Sequence, residues 1–125
     1  MEPTANQLFS EAIDKLNQAK NEFFRPQEDL SPDVICQNAQ LAVEHFLRGY
    51  LLNESLDPSE FTTLEELFDE CAFMNIHFNR IDISAFRCRS ELPNSRGCAD
   101  IPKVCSCLTV ASRLECLIRE ENLIT

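Results

Sequence analysis

One stretch near the middle of the chain, residues 31–52, restricts the possible folds more than any other. Its sequence is SPDVICQNAQLAVEHFLRGYLL. Ser31 is a favourable N-cap, Pro32 suits the first helical position, and Asp33 complements the positive end of a helix dipole. Apolar residues then recur at spacings of three and four, which predicts one long amphipathic helix from Ser31 to Leu52. The predicted buried stripe comprises Val34, Ile35, Ala39, Ala42, Val43, Phe46, Leu47, Tyr50 and Leu51.

The residues before this stretch predict a second long helix, from Ala5 to Phe24, with the same apolar periodicity. The dipeptide Arg25-Pro26 ends it, because a residue that precedes proline is disfavoured in helical geometry. The connection to Ser31 is short and polar. We therefore expect the two long helices to pack as an antiparallel pair.

Three weaker helical patterns follow. Thr63 with Glu66 has the spacing of a capping box, and Thr62 with Glu65 offers the same spacing one residue earlier. A turn is predicted at residues 77–80, then a shorter helix from about Asp82, and a closing helix that Asp100 caps. No stretch has the alternation of a strand. The sequence predicts a single all-α domain, residues 1–125: a four- to five-helix bundle with a central antiparallel helix pair.

The charge and hydropathy of the chain restrict its partners. A formal charge of -10, from 21 acidic and 11 basic residues, opposes unassisted binding to nucleic acid, so free nucleic acid is not an expected partner. No apolar run reaches the roughly 18 residues that a membrane span needs, and we expect a cytoplasmic protein. The chain has seven cysteines but no C-x-x-C pair. We interpret them as small buried hydrophobic residues and expect neither metal nor cofactor.

The segment from Ala39 to Leu52 resembles the signature helix of HEPN domains. The family pattern has Gln, Ala, Glu-Lys and Leu-Lys-Ala at these spacings. Gln40, Ala42, Glu44 and Leu47 match it, Arg48 replaces a lysine, and His45 and Gly49 depart from it. The later segment SAFRCR resembles the family's Ala-Ala-Arg-Tyr, with Arg87 at the arginine and Cys88 at the aromatic residue.

The resemblance implies a helical bundle that forms a homodimer and either binds a nucleotide or works with a small nucleotidyltransferase, as in toxin–antitoxin pairs. Hydrolytic HEPN members cleave RNA with an arginine that is separated from a following histidine by four to six intervening residues. Here the only histidines are His45 and His77, and neither has an arginine at that distance before it. This absence favours a non-catalytic binding module. The alternatives are a divergent ribonuclease toxin and a purely structural dimerising scaffold.

Arginines in the second half of the chain are the candidate binding residues. Arg80, Arg87 and Arg89, with Arg48 as a further member, are predicted to hold a phosphate group or an acidic partner through forked hydrogen bonds. The alternative is that they neutralise the chain's own carboxylates. Glu44 and His45 are further candidates. Glu44 can instead form a solvated helix pair with Arg48, and His45 can be a partly buried structural residue.

Overall fold

The computed structural model describes residues 4–24, 32–83 and 101–121. These ranges contain four α-helices: α1 (Ala5–Phe23), α2 (Pro32–Asn53), α3 (Leu64–Met74) and α4 (Ile101–Glu120). Two 3₁₀ helices, η1 (Pro58–Glu60) and η2 (Ile76–Arg80), flank α3. No strand occurs within these ranges, so the predicted all-α bundle is confirmed. The predicted short helix after Asp82 and the capping residues Ser31 and Asp100 lie outside the described residues.

The central antiparallel pair is formed by α1 and α2. Near the start of α1, Phe9 contacts Gly49 near the end of α2, and Glu11 approaches His45 one turn earlier on α2. The contacts therefore run in opposite directions along the two helices. Besides α1, α2 also packs against α3 and α4, so it is the central helix of the bundle.

The central position of α2 explains which of its residues are buried. The predicted stripe is confirmed from Ile35 to Leu51, and each of its residues is at most 5% exposed. Val34 was wrongly included, since it is 41% exposed. At about 100° per residue it lies on the side of α2 opposite the Ala39–Phe46 face. Cys36, which the predicted stripe omitted, is fully buried because it lies seven residues before Val43 and therefore on the same face of α2.

Local hydrogen bonds define the ends of the helices. Thr4 and Gln7 form a capping box at α1, which the sequence analysis did not identify. At α3 the predicted cap at Thr63 is confirmed, because its side chain accepts from the Glu66 amide at 3.1 Å. The Glu66 carboxylate accepts from the Thr62 amide at 2.9 Å and extends this cap by one residue. Phe24 is 81% exposed and does not join the predicted apolar stripe of α1, because the helix ends at Phe23.

The cysteines fit their predicted role only in part. Cys71 and Cys107 are fully buried thiols, whereas Cys116 is a free and exposed one. Cys36 is disulfide-bonded, and its sulfur also lies 3.3 Å from the Cys107 sulfur. Interpreting every cysteine as an unmodified buried hydrophobe is therefore wrong. Within the described part of the chain, no helix is long and apolar enough to cross a membrane.

Candidate functional site

A cleft of about 390 Å³ lies between the end of η2 and the outer face of α4. We call it the Arg113 cleft. Its floor is apolar, because it is made by Ile81 and Leu117, which are 7% and 4% exposed. Its described rim carries five polar side chains: Arg80, Ser112, Arg113, Cys116 and Glu120. The cleft thus combines an apolar base with charged groups at its edge, as small-molecule sites commonly do.

The two arginines of the cleft differ in their surroundings. Arg80 lies 3.6 Å from the Glu120 carboxylate, and its Nε donates to the His77 carbonyl at 3.4 Å. Arg113 has no acidic partner among the described residues and is exposed. An exposed guanidinium without a carboxylate keeps its donors available for an anion. Arg113 is therefore the cationic group best placed to bind an anionic ligand in this cleft.

A hydrogen-bond network at the end of α4 supports the wall that carries Arg80. The Glu121 carboxylate accepts from Asn75 Nδ2 at 3.0 Å and lies 3.2 Å from His77 Nδ1. The hydrogen bond from Asn75, and then that from His77, lowers the pKa of Glu121. Burial raises the pKa of Tyr50, whose ring packs edge-on against Phe78 with centroids 4.8 Å apart. The network and this ring pair hold η2 against α2 and α4.

The predicted candidates Glu44 and His45 lie away from the cleft, on α2. His45 is half-buried, and its Nε2 lies 4.0 Å from the Glu11 carboxylate of α1. Its Nδ1 is buried and has no hydrogen-bond partner among the described residues. This position suits a structural histidine that covers the α1–α2 interface. Neither residue lines the Arg113 cleft.

Arg48 is engaged with the backbone. Its guanidinium donates to the Pro58 carbonyl at 3.1 Å, which ties η1 to α2. The predicted pair with Glu44 is not among the ion pairs of the described residues. The structure thus places Arg80 alone, of the described candidate arginines, at the cleft. Arg87 and Arg89 lie outside the described residues, and their role stays a prediction.

Sequence reasoning missed Arg113, although a signal for it was present. Arg113, Cys116, Leu117 and Glu120 recur at spacings of three and four and therefore share one face of α4. The prediction instead grouped the arginines around residue 87, because these residues are close to one another in the sequence. Within the described ranges, no group of three or more histidine, cysteine or acidic side chains is placed to hold a metal ion.

The fold defines a small helical-bundle domain, with two arginines at the rim of a surface cleft. The model of the HEPN domain family matches residues 5–91. This match covers more than half of the chain, which therefore belongs to the HEPN domain family. No curated protein and no solved structure matches the chain significantly. The matched region contains Arg80 but ends before α4, which supplies Arg113.

The two free thiols of Cys71 and Cys116 should differ strongly in their rates of alkylation. Burial raises the pKa of Cys71 to about 12, so only about one molecule in 10⁴ carries its thiolate at pH 8. Cys71 also donates to the Leu47 carbonyl at 3.6 Å, whereas Cys116 is exposed at the cleft. We expect native protein to alkylate at Cys116 at least a hundredfold faster than at Cys71.

Mass spectrometry of iodoacetamide-treated protein, resolved by peptide, measures the two rates. A denatured sample is the control, because both thiols should react at similar rates once the chain is unfolded. Rapid alkylation of Cys71 under native conditions would mean that α3 does not stay packed on α2.

Proposed function

We propose that this HEPN domain is a non-catalytic binding module that holds a phosphate-bearing nucleotide in the Arg113 cleft. The free guanidinium of Arg113 carries this proposal, because it faces an apolar-floored cleft in a protein with a formal charge of -10. Phosphate oxygens accept the paired hydrogen bonds that a guanidinium offers. Arg80 contributes a second cation after it loosens from Glu120.

The size and lining of the cleft support this class of ligand. A volume of about 390 Å³ lies in the range of small-molecule sites. Ile81 and Leu117 offer an apolar surface to a base or a sugar, and Ser112 offers a hydroxyl at the rim. Because Arg80 must give up its contact with Glu120 to bind a phosphate, we expect the cleft to bind its ligand with weak or moderate affinity.

The absence of the arginine–histidine motif supports the non-catalytic part of the proposal. His77 precedes Arg80 by three residues, the reverse of the hydrolytic order, and its ring lies against Glu121. His77 does not line the Arg113 cleft. A nucleotidyltransferase partner and a homodimer stay predictions, and both are compatible with a nucleotide-binding domain.

Substitution of Arg113 tests the proposal. We expect Arg113→Gln to weaken binding of adenosine triphosphate at least tenfold, because a charge-assisted hydrogen bond contributes about 1.5–3 kcal/mol. Arg119→Gln is the matched control. Arg119 lies on the same helix and also loses one charge, but it pairs with Glu115 at 2.7 Å and does not line the cleft. Titration calorimetry at two salt concentrations measures both affinities.

Protection of Cys116 from alkylation gives an independent readout, because this thiol lies in the cleft. Bound nucleotide should slow alkylation of Cys116 in the wild-type protein and in Arg119→Gln, but not in Arg113→Gln. Equal affinities for all three proteins would contradict the assignment of the cleft. Specific RNA cleavage that is lost in His45→Ala or His77→Ala would overturn the non-catalytic part.

A further inference from the structure

The outward face of α3 carries an exposed aromatic side chain amid carboxylates. Phe73 is 86% exposed, and Ile76, three residues later, is 74% exposed. Phe73 also lines a shallow depression of about 520 Å³ together with Phe61 of the preceding connection. We call this surface the Phe73 face; its members are Glu60, Phe61, Glu66, Asp69, Glu70 and Phe73.

Helical geometry places the carboxylates around the ring of Phe73. Asp69 and Glu70 precede it by four and three residues, so they lie one turn away on the same side of α3. The opposite side of the helix is formed by Leu64, Leu67 and Cys71, which are at most 7% exposed. Phe73 therefore points away from the core, and packing among the described residues does not account for an aromatic residue there.

The charge of the Phe73 face has one sign. Residues 57–76 contain six carboxylates and no Lys, Arg or His, so this stretch contributes -6 to the formal charge of -10. Glu66 is engaged with the Thr62 amide, whereas Glu60, Asp69 and Glu70 have no cationic partner among the described residues. These side chains surround an apolar depression with negative charge that no cationic side chain of residues 4–24, 32–83 or 101–121 compensates.

The negative charge of the Phe73 face also determines which class of partner can bind there. A second copy of this chain would bring the same carboxylates to a symmetric contact, and like charges in contact oppose association. Nucleic acid and anionic lipid surfaces are excluded for the same reason. A basic protein segment with an apolar side chain for the Phe73 depression satisfies both the charge and the shape.

We propose that the Phe73 face docks a basic, amphipathic segment of a partner protein. An apolar side chain of that segment packs on Phe73 and Phe61, and its lysines or arginines pair with Glu60, Asp69 and Glu70. Buried aromatic anchors surrounded by complementary charges are the usual centre of such interfaces. This proposal is independent of the nucleotide assignment, because the Phe73 face and the Arg113 cleft share no residue.

The test uses the full chain and a synthetic 14-residue peptide of leucine and lysine at helical spacing. Two companion peptides replace either every lysine by glutamate or every leucine by serine. We expect the first peptide to bind with a dissociation constant that rises with salt concentration, and both companions to bind at least tenfold more weakly. Chemical-shift changes in a nuclear magnetic resonance titration should centre on residues 60–76.

Matched variants distinguish specific binding at the Phe73 face from nonspecific electrostatic binding of a basic peptide to an acidic protein. We expect Phe73→Ala to weaken binding at least tenfold, whereas Phe24→Ala, which removes a ring that is 81% exposed elsewhere, should leave it unchanged. We expect Asp69→Asn to weaken binding more than Asp14→Asn, which removes an exposed charge from α1. Equal effects within either pair would overturn the proposal.

A last measurement distinguishes a partner from a second copy. Sedimentation of the wild-type protein and of Phe73→Ala should give the same oligomeric state at every concentration. If Phe73→Ala dissociates a wild-type dimer and the peptide does not bind, the face is a self-association surface and the proposal is wrong. Unchanged thermal melting of each variant confirms that it is folded.

Discussion

Phe78→Ala is expected to lower the free energy of unfolding by about 3–5 kcal/mol, the usual cost of emptying a buried phenylalanine site. Phe78 is fully buried in η2, and its ring packs edge-on against Tyr50. The other contacts of η2 are polar and lie at the surface, namely those of His77 with Glu121 and of Arg80 with Glu120, so Phe78 supplies the buried apolar contact of this short helix. Urea unfolding followed by circular dichroism measures the change.

Ile76→Ala is the control for this substitution, because it removes an aliphatic side chain from the same short helix. Ile76 is 74% exposed, so we expect a change within about 0.5 kcal/mol. The two variants should also differ in ligand binding. Arg80 lies two residues after Phe78, and we expect Phe78→Ala to weaken nucleotide binding per folded molecule. A small loss of stability in Phe78→Ala would mean that η2 does not pack on α2.

Gly49→Ala is expected to destabilise the protein by about 1–3 kcal/mol, although alanine is the better helix former. A β-carbon at this position would lie 2.6 Å from Phe9 Cε1 and 2.8 Å from Phe9 Cδ1. Phe9 is 3% exposed, so its ring cannot move into solvent without losing its own packing. α1 and α2 would have to separate locally to admit the added methyl group.

A smaller side chain at residue 9 should relieve this clash. We expect the double variant Phe9→Leu/Gly49→Ala to be more stable than the sum of the single changes predicts, by at least about 0.5 kcal/mol. Asn17→Ala, at an exposed site in α1, controls for helix propensity and should be neutral or slightly stabilising. Additive single changes would show that Gly49 is not limited by Phe9. Thermal and urea unfolding of the four proteins complete the cycle.

Gly49 also shows what the resemblance to HEPN domains left unexplained. The family pattern has alanine at this position, and the sequence alone offers no reason for the departure. The structure gives the reason, because the ring of Phe9 on the adjacent helix occupies the space of the missing methyl group. The departure is therefore part of how this member packs its central pair.

Local patterns in the sequence determined the class of fold. The spacing of apolar residues predicts α1 and α2 to within one residue of their observed ends, and the Thr63 cap predicts the start of α3. These features depend on neighbours within a few turns, so they can be deduced without knowing the partner helices. The antiparallel pairing also followed, because a short connection leaves the second helix few other directions.

Only the tertiary structure decided which charged side chains share a site. Arg80 and Arg113 are 33 residues apart in the chain, and they line one cleft because η2 lies against α4. Arg48 lies within the signature helix, yet it binds the Pro58 carbonyl and lies away from the cleft. Sequence periodicity assigns a residue to a face of its own helix, whereas a binding site depends on which other elements that face meets.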